Sequence, residues 1–149
     1  MDKDELLKLD NQLCFAVYAC SREITKMYRP HLEELGLTYT QYVTLLVLWE
    51  TDRVTVKELG SRLYLDSGTL TPLLKRLEQM QLIRRVRDSK DERNVLIELT
   101  EQGSQLKEQA YEIPRKVFCN MGLNTEELAE WREKLTGLLH NIHHKNTEE

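Results

Sequence analysis

The segment LDSGTLTPLLKRLEQMQLIRRVRDSKDERNVLIELT, residues 65–100, decides the fold. In its first half, leucines recur at spacings of three and four residues, which predicts a helix with one buried face. These leucines are Leu70, Leu73, Leu74 and Leu77. Asp66 and Ser67 are candidate caps for the start of this helix. Thr71 is a competing cap, because Pro72 would otherwise stand in the second turn, where its missing N–H costs a hydrogen bond.

The opposite face of this helix carries small, hydroxyl and basic side chains. A helix that lies against DNA needs little bulk, hydrogen-bonding groups for base edges, and cations for phosphates. A surface helix with a polar face gives the same pattern, so the flanking segments must decide between the two. The residues of this helix that we expect at DNA are Ser67, Thr69, Thr71, Lys75 and Arg76.

Those flanking segments complete a winged helix-turn-helix. Residues 54–63 have a short helical pattern that opens with Thr55 and Glu58, the spacing of a capping box. Residues 82–87 and 95–99 predict two strands joined by a polar tip. A basic hairpin of this kind can insert an arginine into the minor groove. The expected DNA contacts of the wing are Arg87, Lys90 and Arg93.

Composition and charge favour a single globular domain, residues 1–149, that presents one basic region. Hydrophobic residues make up 40% of the chain and charged residues 31%, which is unlike a disordered segment. The net charge is −4, yet residues 57–93 hold nine basic and six acidic side chains, so the rest carries −7. A basic region on an acidic body suits phosphate binding. No long apolar run occurs and the N-terminus is strongly charged, so we expect a cytoplasmic protein without a membrane partner.

Long amphipathic patterns surround the winged helix. A helix from about Leu6 to Tyr28, ended by Pro30, and a helix capped by Thr100 and bent at Pro114 each carry an apolar stripe. Further capping pairs are Thr38 with Gln41 and Asn124 with Glu127. The winged helix is too small to cover the apolar stripes of both terminal helices. The predicted fold is therefore mainly α with a small β wing near residues 54–99, and with dimerisation helices near residues 1–30 and 100–149.

Three cysteines without an export signal argue against a disulfide framework and leave thiol chemistry open. Cys20 lies within the apolar stripe of the first helix and is interpreted as a core residue. Cys14 lies about 100° from that stripe, with Tyr18 one turn later on the same flank. Hydrogen bonds to a thiolate there would stabilise it and make the cysteine more reactive. On the residues alone, Cys14 is either a reactive or an inert half-buried thiol.

Three segments carry a family resemblance. DERNVLIELT, residues 91–100, resembles the wing signature of MarR-type repressors. NQLCFAVYACSRE, residues 11–23, and LDSGTLTPLLKRLE, residues 65–78, are similar to the organic-hydroperoxide-sensing group within that family. The resemblance spans nearly the whole chain and loosens after about Tyr111.

This resemblance implies a homodimer that binds an inverted repeat in double-stranded DNA and releases it after oxidation by an organic hydroperoxide. By position, Cys14 corresponds to the oxidised cysteine, and Tyr28 and Tyr39 to the tyrosines that support it across the dimer, with Tyr18 nearby. The sulfenic acid must then be captured by a thiol. Some relatives use a low-molecular-weight thiol and others a second cysteine, which Cys119 resembles; both routes stay open here.

Two other functions fit parts of the sequence. A MarR-type repressor released by a small phenolic ligand would use Cys14 as a pocket wall, and a thiol peroxidase would use it as a nucleophile. The peroxidase has no recognisable reductant site and would leave the basic wing unexplained. His140 and His144 share a helix face, but no cysteine pair or carboxylate stands at ligand spacing. We therefore expect no metal, no cofactor and no enzymatic activity.

Overall fold

The computed structural model describes residues 2–148. They form two compact units, one up to Ile113 and one from Pro114 onward. The helices are α1 Lys3–Leu6, α2 Leu13–Glu33, α3 Tyr39–Glu50, α4 Val56–Leu63, α5 Ser67–Gln79, α6 Glu101–Ala110, α7 Ile113–Cys119 and α8 Thr125–Thr147, with a 3-10 turn at Leu9–Asn11. The strands are β1 Val54–Thr55, β2 Ile83–Arg87 and β3 Val95–Leu99.

Helix α3 is the centre of the first unit and packs against α2, α4, α5 and α6. Both sides of this helix are apolar, so it is buried nearly all round, as such a pattern requires. Leu45 and Leu48 are fully buried within it, and Leu59, Leu70, Leu74 and Leu77 of the helix-turn-helix close the core around it. The leucine spacing that predicted the buried face of α5 is confirmed for Leu70, Leu74 and Leu77, and Leu73 is half-buried.

The sheet has three antiparallel strands in the order β1-β3-β2, where two were expected. Strands β2 and β3 pair from Ile83 with Leu99 to Arg87 with Val95, as a hairpin. The additional strand β1 pairs Val54 with Ile97. It was wrongly assigned to the beginning of a helix, because two residues are too few to show an alternating pattern.

The helix starts follow the capping chemistry of the sequence. Capping boxes open α3 at Thr38, α4 at Thr55 and α8 at Asn124, as expected. At α5, the Asp66 carboxylate accepts from the Thr69 N–H at 2.7 Å, and this bond lowers the pKa of Asp66. Thr71 is not the cap, since its hydroxyl donates to the Ser67 carbonyl one turn earlier.

The first long helix differs from its expected bounds. It runs Leu13–Glu33 and contains Pro30, rather than running from Leu6 to Tyr28. Its start is delayed because the Gln12 side-chain amide donates to the carbonyls of Leu6 and Lys8, which holds a break in the helix. Its end continues past Pro30 because Leu32, one turn beyond Tyr28, is also buried in the core.

The helix after the wing is broken where a bend was expected. Thr100 caps α6 through the Gly103 N–H, as predicted. Helix α6 ends at Ala110 and α7 begins at Ile113, so Pro114 lies in the first turn of a new helix. A proline in that position loses no hydrogen bond, and a separate helix is therefore preferred to a kinked one.

The apolar stripes of the terminal helices are exposed in the single chain. On α2 the exposed apolar side chains are Leu13, Phe15 and Val17, and on α8 they are Trp131, Leu135, Leu139 and Ile142. Cys20 is exposed as well, so its assignment to the core of one chain is wrong. It lies on the face of α2 that carries the exposed apolar stripe. Among the described residues, no helix has the length and apolarity needed to cross a membrane.

Candidate redox site and DNA-binding surface

Three tyrosines form one aromatic cluster between α2 and α3. The ring centroid of Tyr28 lies 5.1 Å from that of Tyr39 and 5.8 Å from that of Tyr42, and the last two rings lie 6.3 Å apart. Burial, with the neighbouring phenols, raises the pKa of Tyr28 to about 12. Burial also raises the pKa of Tyr39 and of Tyr42. All three hydroxyls therefore keep their protons at neutral pH and are available as donors.

Tyr42 was not identified from the sequence. It is only 2% exposed, and its ring contacts both tyrosines that the resemblance had selected. The available signal was its spacing of three residues from Tyr39, which places both rings on one side of α3. The contact with Tyr28 joins two different helices, so spacing alone could not reveal it.

Cys14 is exposed in the first turn of α2, and its own tyrosine cluster is far away. Tyr28 follows Cys14 by 14 residues on the same helix, which corresponds to about 21 Å along the axis. Cys14 and Tyr28 of one chain therefore cannot form a hydrogen bond. Tyr18 does lie one turn from Cys14, and the Arg22 guanidinium stands 5.5 Å from the centre of its ring.

A cleft of about 280 Å³ opens beside the tyrosine cluster. Tyr39, Leu32 and Leu37 form its apolar lining, and Arg29 and Glu33 stand at it as charged groups. The cleft gives the phenol of Tyr39 room for a small reactant or for a side chain of another protomer.

Cys119 is exposed at the last position of α7, in the second unit. The Asn120 amide donates to the Lys116 carbonyl and closes this end of the helix. Gly122 follows with φ of 72°, in the left-handed region that glycine adopts without strain. The thiol is thus accessible and is followed by a turn.

Helix α5 presents its polar face to solvent. Leu70, Leu74 and Leu77 are buried, and the expected DNA contacts are exposed at Ser67, Thr69, Thr71, Lys75 and Arg76. Within residues 2–148, neither Lys75 nor Arg76 forms an ion pair. Their cationic groups are therefore available to phosphate.

The wing tip is organised around Asp91 and Arg93. The Arg93 guanidinium donates to both carboxylate oxygens of Asp91, at 3.1 and 3.2 Å, and remains 90% exposed. These bonds lower the pKa of Asp91. Arg87 donates to the Glu92 carbonyl across the tip, and the Lys90 N–H donates to Asp88. The tip thus holds its basic side chains on an ordered turn.

The base of the wing contains a second charged cluster that was not predicted. The mostly buried Glu98 side chain pairs with Arg84 of β2 and with Arg53, which precedes β1. Arg53 has φ of 59°, so the chain turns sharply there between α3 and the sheet. The cluster fixes the wing strands to the turn that follows α3.

Metal-binding geometry is not found in the described part of the chain. No three His, Cys, Asp or Glu side chains of residues 2–148 come together at ligand distances. The imidazole of His144 lies 3.1 Å from the Glu148 carboxylate, as a pair one helical turn apart.

Comparisons with known proteins agree with this architecture. Residues 26–110 match the family described as "Transcriptional regulator SarA/Rot". The chain is 52% identical over 145 residues to the organic hydroperoxide resistance transcriptional regulator of Bacillus subtilis, covering 97% of this chain and 99% of that protein. It is 46% identical over 122 residues to the regulator SarZ of Staphylococcus aureus, with 82% of each chain covered.

Solved structures give the same result. Reduced AbfR bound to DNA superposes with a TM-score of 0.80 at 37% identity, covering 96% of this chain and 98% of that one. Overoxidised AbfR, also bound to DNA, gives 0.75 at 40% identity, covering 95% and 99%. Disulfide-formed AbfR gives 0.63 at 38% identity, covering 92% and 96%. The chain therefore belongs to the MarR-type family of winged-helix transcriptional regulators, in the group of the organic hydroperoxide resistance regulator.

Proposed function

We propose that this chain is a homodimeric DNA-binding repressor that senses organic hydroperoxides by oxidation of Cys14 and then releases its operator. The observation that carries this function is the tyrosine cluster, whose buried phenols keep their protons and whose Tyr28 lies about 21 Å along α2 from Cys14 of the same chain. Each redox site then combines Cys14 of one protomer with the tyrosines of the other. As a member of a regulator family the chain is not an enzyme, and we place it in the cytoplasm.

The dimer follows from the exposed stripes. Apolar side chains along α2 and α8 would remain in water in a single chain, and their burial is the main favourable term in most associations. We assign dimerisation to both terminal helices. Residues 54–99 form the DNA-binding lobe. The whole chain works as one winged-helix domain repeated by two-fold symmetry.

The chemistry at Cys14 is a two-electron oxidation. The thiolate attacks the terminal oxygen of the hydroperoxide, so that an S–O bond forms and the O–O bond breaks. The sulfur becomes a sulfenic acid, and the peroxide leaves as an alcohol after its alkoxide takes a proton. Tyr28 and Tyr39 donate hydrogen bonds that stabilise the thiolate and the alkoxide, and Tyr18 borders the cysteine from its own helix.

A thiol must then capture the sulfenic acid before it is oxidised further. The S–O bond breaks, an S–S bond forms and water leaves. We propose Cys119 of the other subunit as this thiol, with a low-molecular-weight thiol as the competing route. Overoxidised AbfR was crystallised on DNA, whereas a disulfide-formed state of AbfR is also known. By analogy, the disulfide is the form of this chain that we expect to leave DNA.

On DNA, the two α5 helices enter successive major grooves about 34 to 36 Å apart, so the operator is an inverted repeat. Ser67, Thr69 and Thr71 stand at the base edges, and Lys75 and Arg76 at phosphates. In the wing, Arg93 enters the minor groove, while Arg87 and Lys90 lie near the backbone. The net positive charge of residues 57–93 supports this orientation.

The test compares two cysteines of the same helix. A labelled duplex, selected from random sequence by the reduced protein, is titrated with wild type, Cys14→Ser and Cys20→Ser before and after treatment with cumene hydroperoxide. We expect equal affinity of all three before treatment and release by wild type and Cys20→Ser only. Release by Cys14→Ser would contradict the sensing assignment. Release by a phenolic compound but not by peroxide would indicate a ligand-controlled repressor.

A further inference from the structure

We propose that α3 transmits the redox event to the wing, and that Trp49 near its C-terminal end and Asp52 just beyond it are positioning residues for this response. The inference rests on the proposed function, since it takes Cys14 oxidation as the input and DNA release as the output. It concerns contacts that lie wholly within the first unit.

The N-terminal end of α3 belongs to the redox site. Tyr39 is its first residue and Tyr42 lies one turn later, and both rings pack on Tyr28. Any change in how these phenols bond to the partner's cysteine acts directly on this end of the helix. The helix then runs for 12 residues without glycine or proline, about 18 Å, and cannot easily bend.

The C-terminal end of α3 is bonded to α6. The Trp49 indole N–H donates to the Gly103 carbonyl at 2.9 Å, and the Lys107 ammonium donates to the Trp49 carbonyl at 3.4 Å. Trp49 is half-buried, and no buried side-chain polar atom of the described residues lacks a partner. These bonds join α3 to the helix that leaves the wing.

Asp52, two residues beyond α3, makes the corresponding link to the sheet. Its carboxylate oxygen accepts from the Leu99 N–H at 2.9 Å and from the Arg53 N–H at 2.8 Å. Leu99 is the last residue of β3 and pairs with Ile83 at the start of β2. The carboxylate therefore holds the base of the wing to the end of α3.

The core leaves α3 little freedom to move alone. Thr44, Leu45 and Leu48 are fully buried, and four other helices pack on α3. A shift at the tyrosine cluster therefore moves the helix as a unit, since close-packed interiors transmit displacement. The three bonds at its C-terminal end then deliver the shift to β3 and to α6.

The experiment separates signal transmission from stability. Trp49→Phe keeps the aromatic body but removes the N–H. The affinity for a duplex selected by the reduced wild-type protein is measured before and after cumene hydroperoxide, and Cys14 oxidation is followed by intact mass. We expect Cys14 of this variant to be oxidised at the same rate as in wild type. The ratio of the dissociation constant of the oxidised protein to that of the reduced protein should be about three- to tenfold smaller than in wild type, because a factor of that size corresponds to the loss of one ordinary hydrogen bond. An unchanged ratio would overturn the inference, even if Trp49→Phe unfolds more easily.

A second pair covers the case in which Trp49→Phe does not fold. Asp52→Ala removes the acceptor, whereas Asp52→Asn keeps the side-chain oxygen and serves as the matched control. The Ala variant should lose part of the peroxide response and the Asn variant should retain it. Equal responses in the two would overturn the inference. If wild type itself does not release DNA after oxidation, the proposed function fails as well, which is a distinct result.

Discussion

Gly103 offers a sharp test of how α6 meets the winged lobe. A Cβ at this position would lie 2.1 Å from the Leu82 carbonyl oxygen and 3.2 Å from a methyl group of Leu99. Real Cβ atoms essentially never come within 3.0 Å of such a group, so the backbone itself would have to open by about 1 Å. The glycine is needed for space, and its φ is not positive.

The cost of Gly103→Ala follows from what the displacement disturbs. Three hydrogen bonds meet there: Gly103 N–H to Thr100 Oγ1, Thr100 N–H to the Leu82 carbonyl, and the Trp49 indole to the Gly103 carbonyl. Each is worth about 1 kcal/mol, and overpacking costs about 1 to 3 kcal/mol. Alanine returns about 1 kcal/mol of helix propensity. We expect a net loss of about 3 to 5 kcal/mol in the free energy of unfolding.

The assay is urea unfolding followed by circular dichroism at one fixed protein concentration, since a dimer's stability depends on concentration. Gly137→Ala is the matched control, because Gly137 lies inside α8 with nothing within 4 Å of its added Cβ. This control should unfold no earlier than wild type. A Gly103→Ala midpoint equal to that of wild type would refute the close approach of α6 to Leu82.

Four further predictions concern the proposed site. Arg93→Ala should weaken operator binding and reduce the slope of log affinity against log salt by about one if the guanidinium neutralises a phosphate, as a salt titration would show. Tyr28→Phe should slow Cys14 oxidation in a peroxide time course read by mass spectrometry, because it removes a donor to the thiolate. Burial raises the pKa of Tyr28 to about 12 from 10.0, so the folded form holds the phenol proton more tightly than the unfolded form does. The resulting contribution to the free energy of unfolding is complete below pH 10 and is lost as the pH rises toward 12. In urea titrations over that range, the free energy of unfolding should therefore fall less steeply with pH for Tyr28→Phe than for wild type. Non-reducing electrophoresis after peroxide, without added thiol, should show a covalent dimer that Cys119→Ser lacks, whereas a wild-type monomer would favour the small-thiol route.

The parts of the fold that depend on neighbours in sequence were predictable. Caps such as Thr38 and Thr55 act on an N–H three residues away, so a spacing of three is sufficient to find them. The buried face of α5 likewise follows from leucine spacing within one helix. The family resemblance then selected Cys14 and two of the three clustered tyrosines.

What sequence could not give were contacts between distant segments. Tyr42 joins the cluster only because α2 and α3 cross there, and β1 exists only because β3 pairs with it. The break at residues 111–112 reflects a preference for Pro114 at a helix start over a kink. The apolar stripe around Cys20 predicted a buried face of the helix. The stripe alone could not reveal that this face is exposed in the single chain.

Under the proposed function, the distance between Cys14 and Tyr28 of the same chain has a genetic consequence. A dimer whose sites are shared between subunits has two of them, each built from both gene copies. When one copy encodes Cys14→Ser and the other Tyr28→Phe, every mixed dimer contains one doubly altered site and one site of wild-type composition. Alone, the Cys14→Ser allele gives no peroxide response and the Tyr28→Phe allele gives only a slow one. A cell that carries both alleles would regain a rapid response. A cysteine and tyrosines used within one chain would give no such complementation.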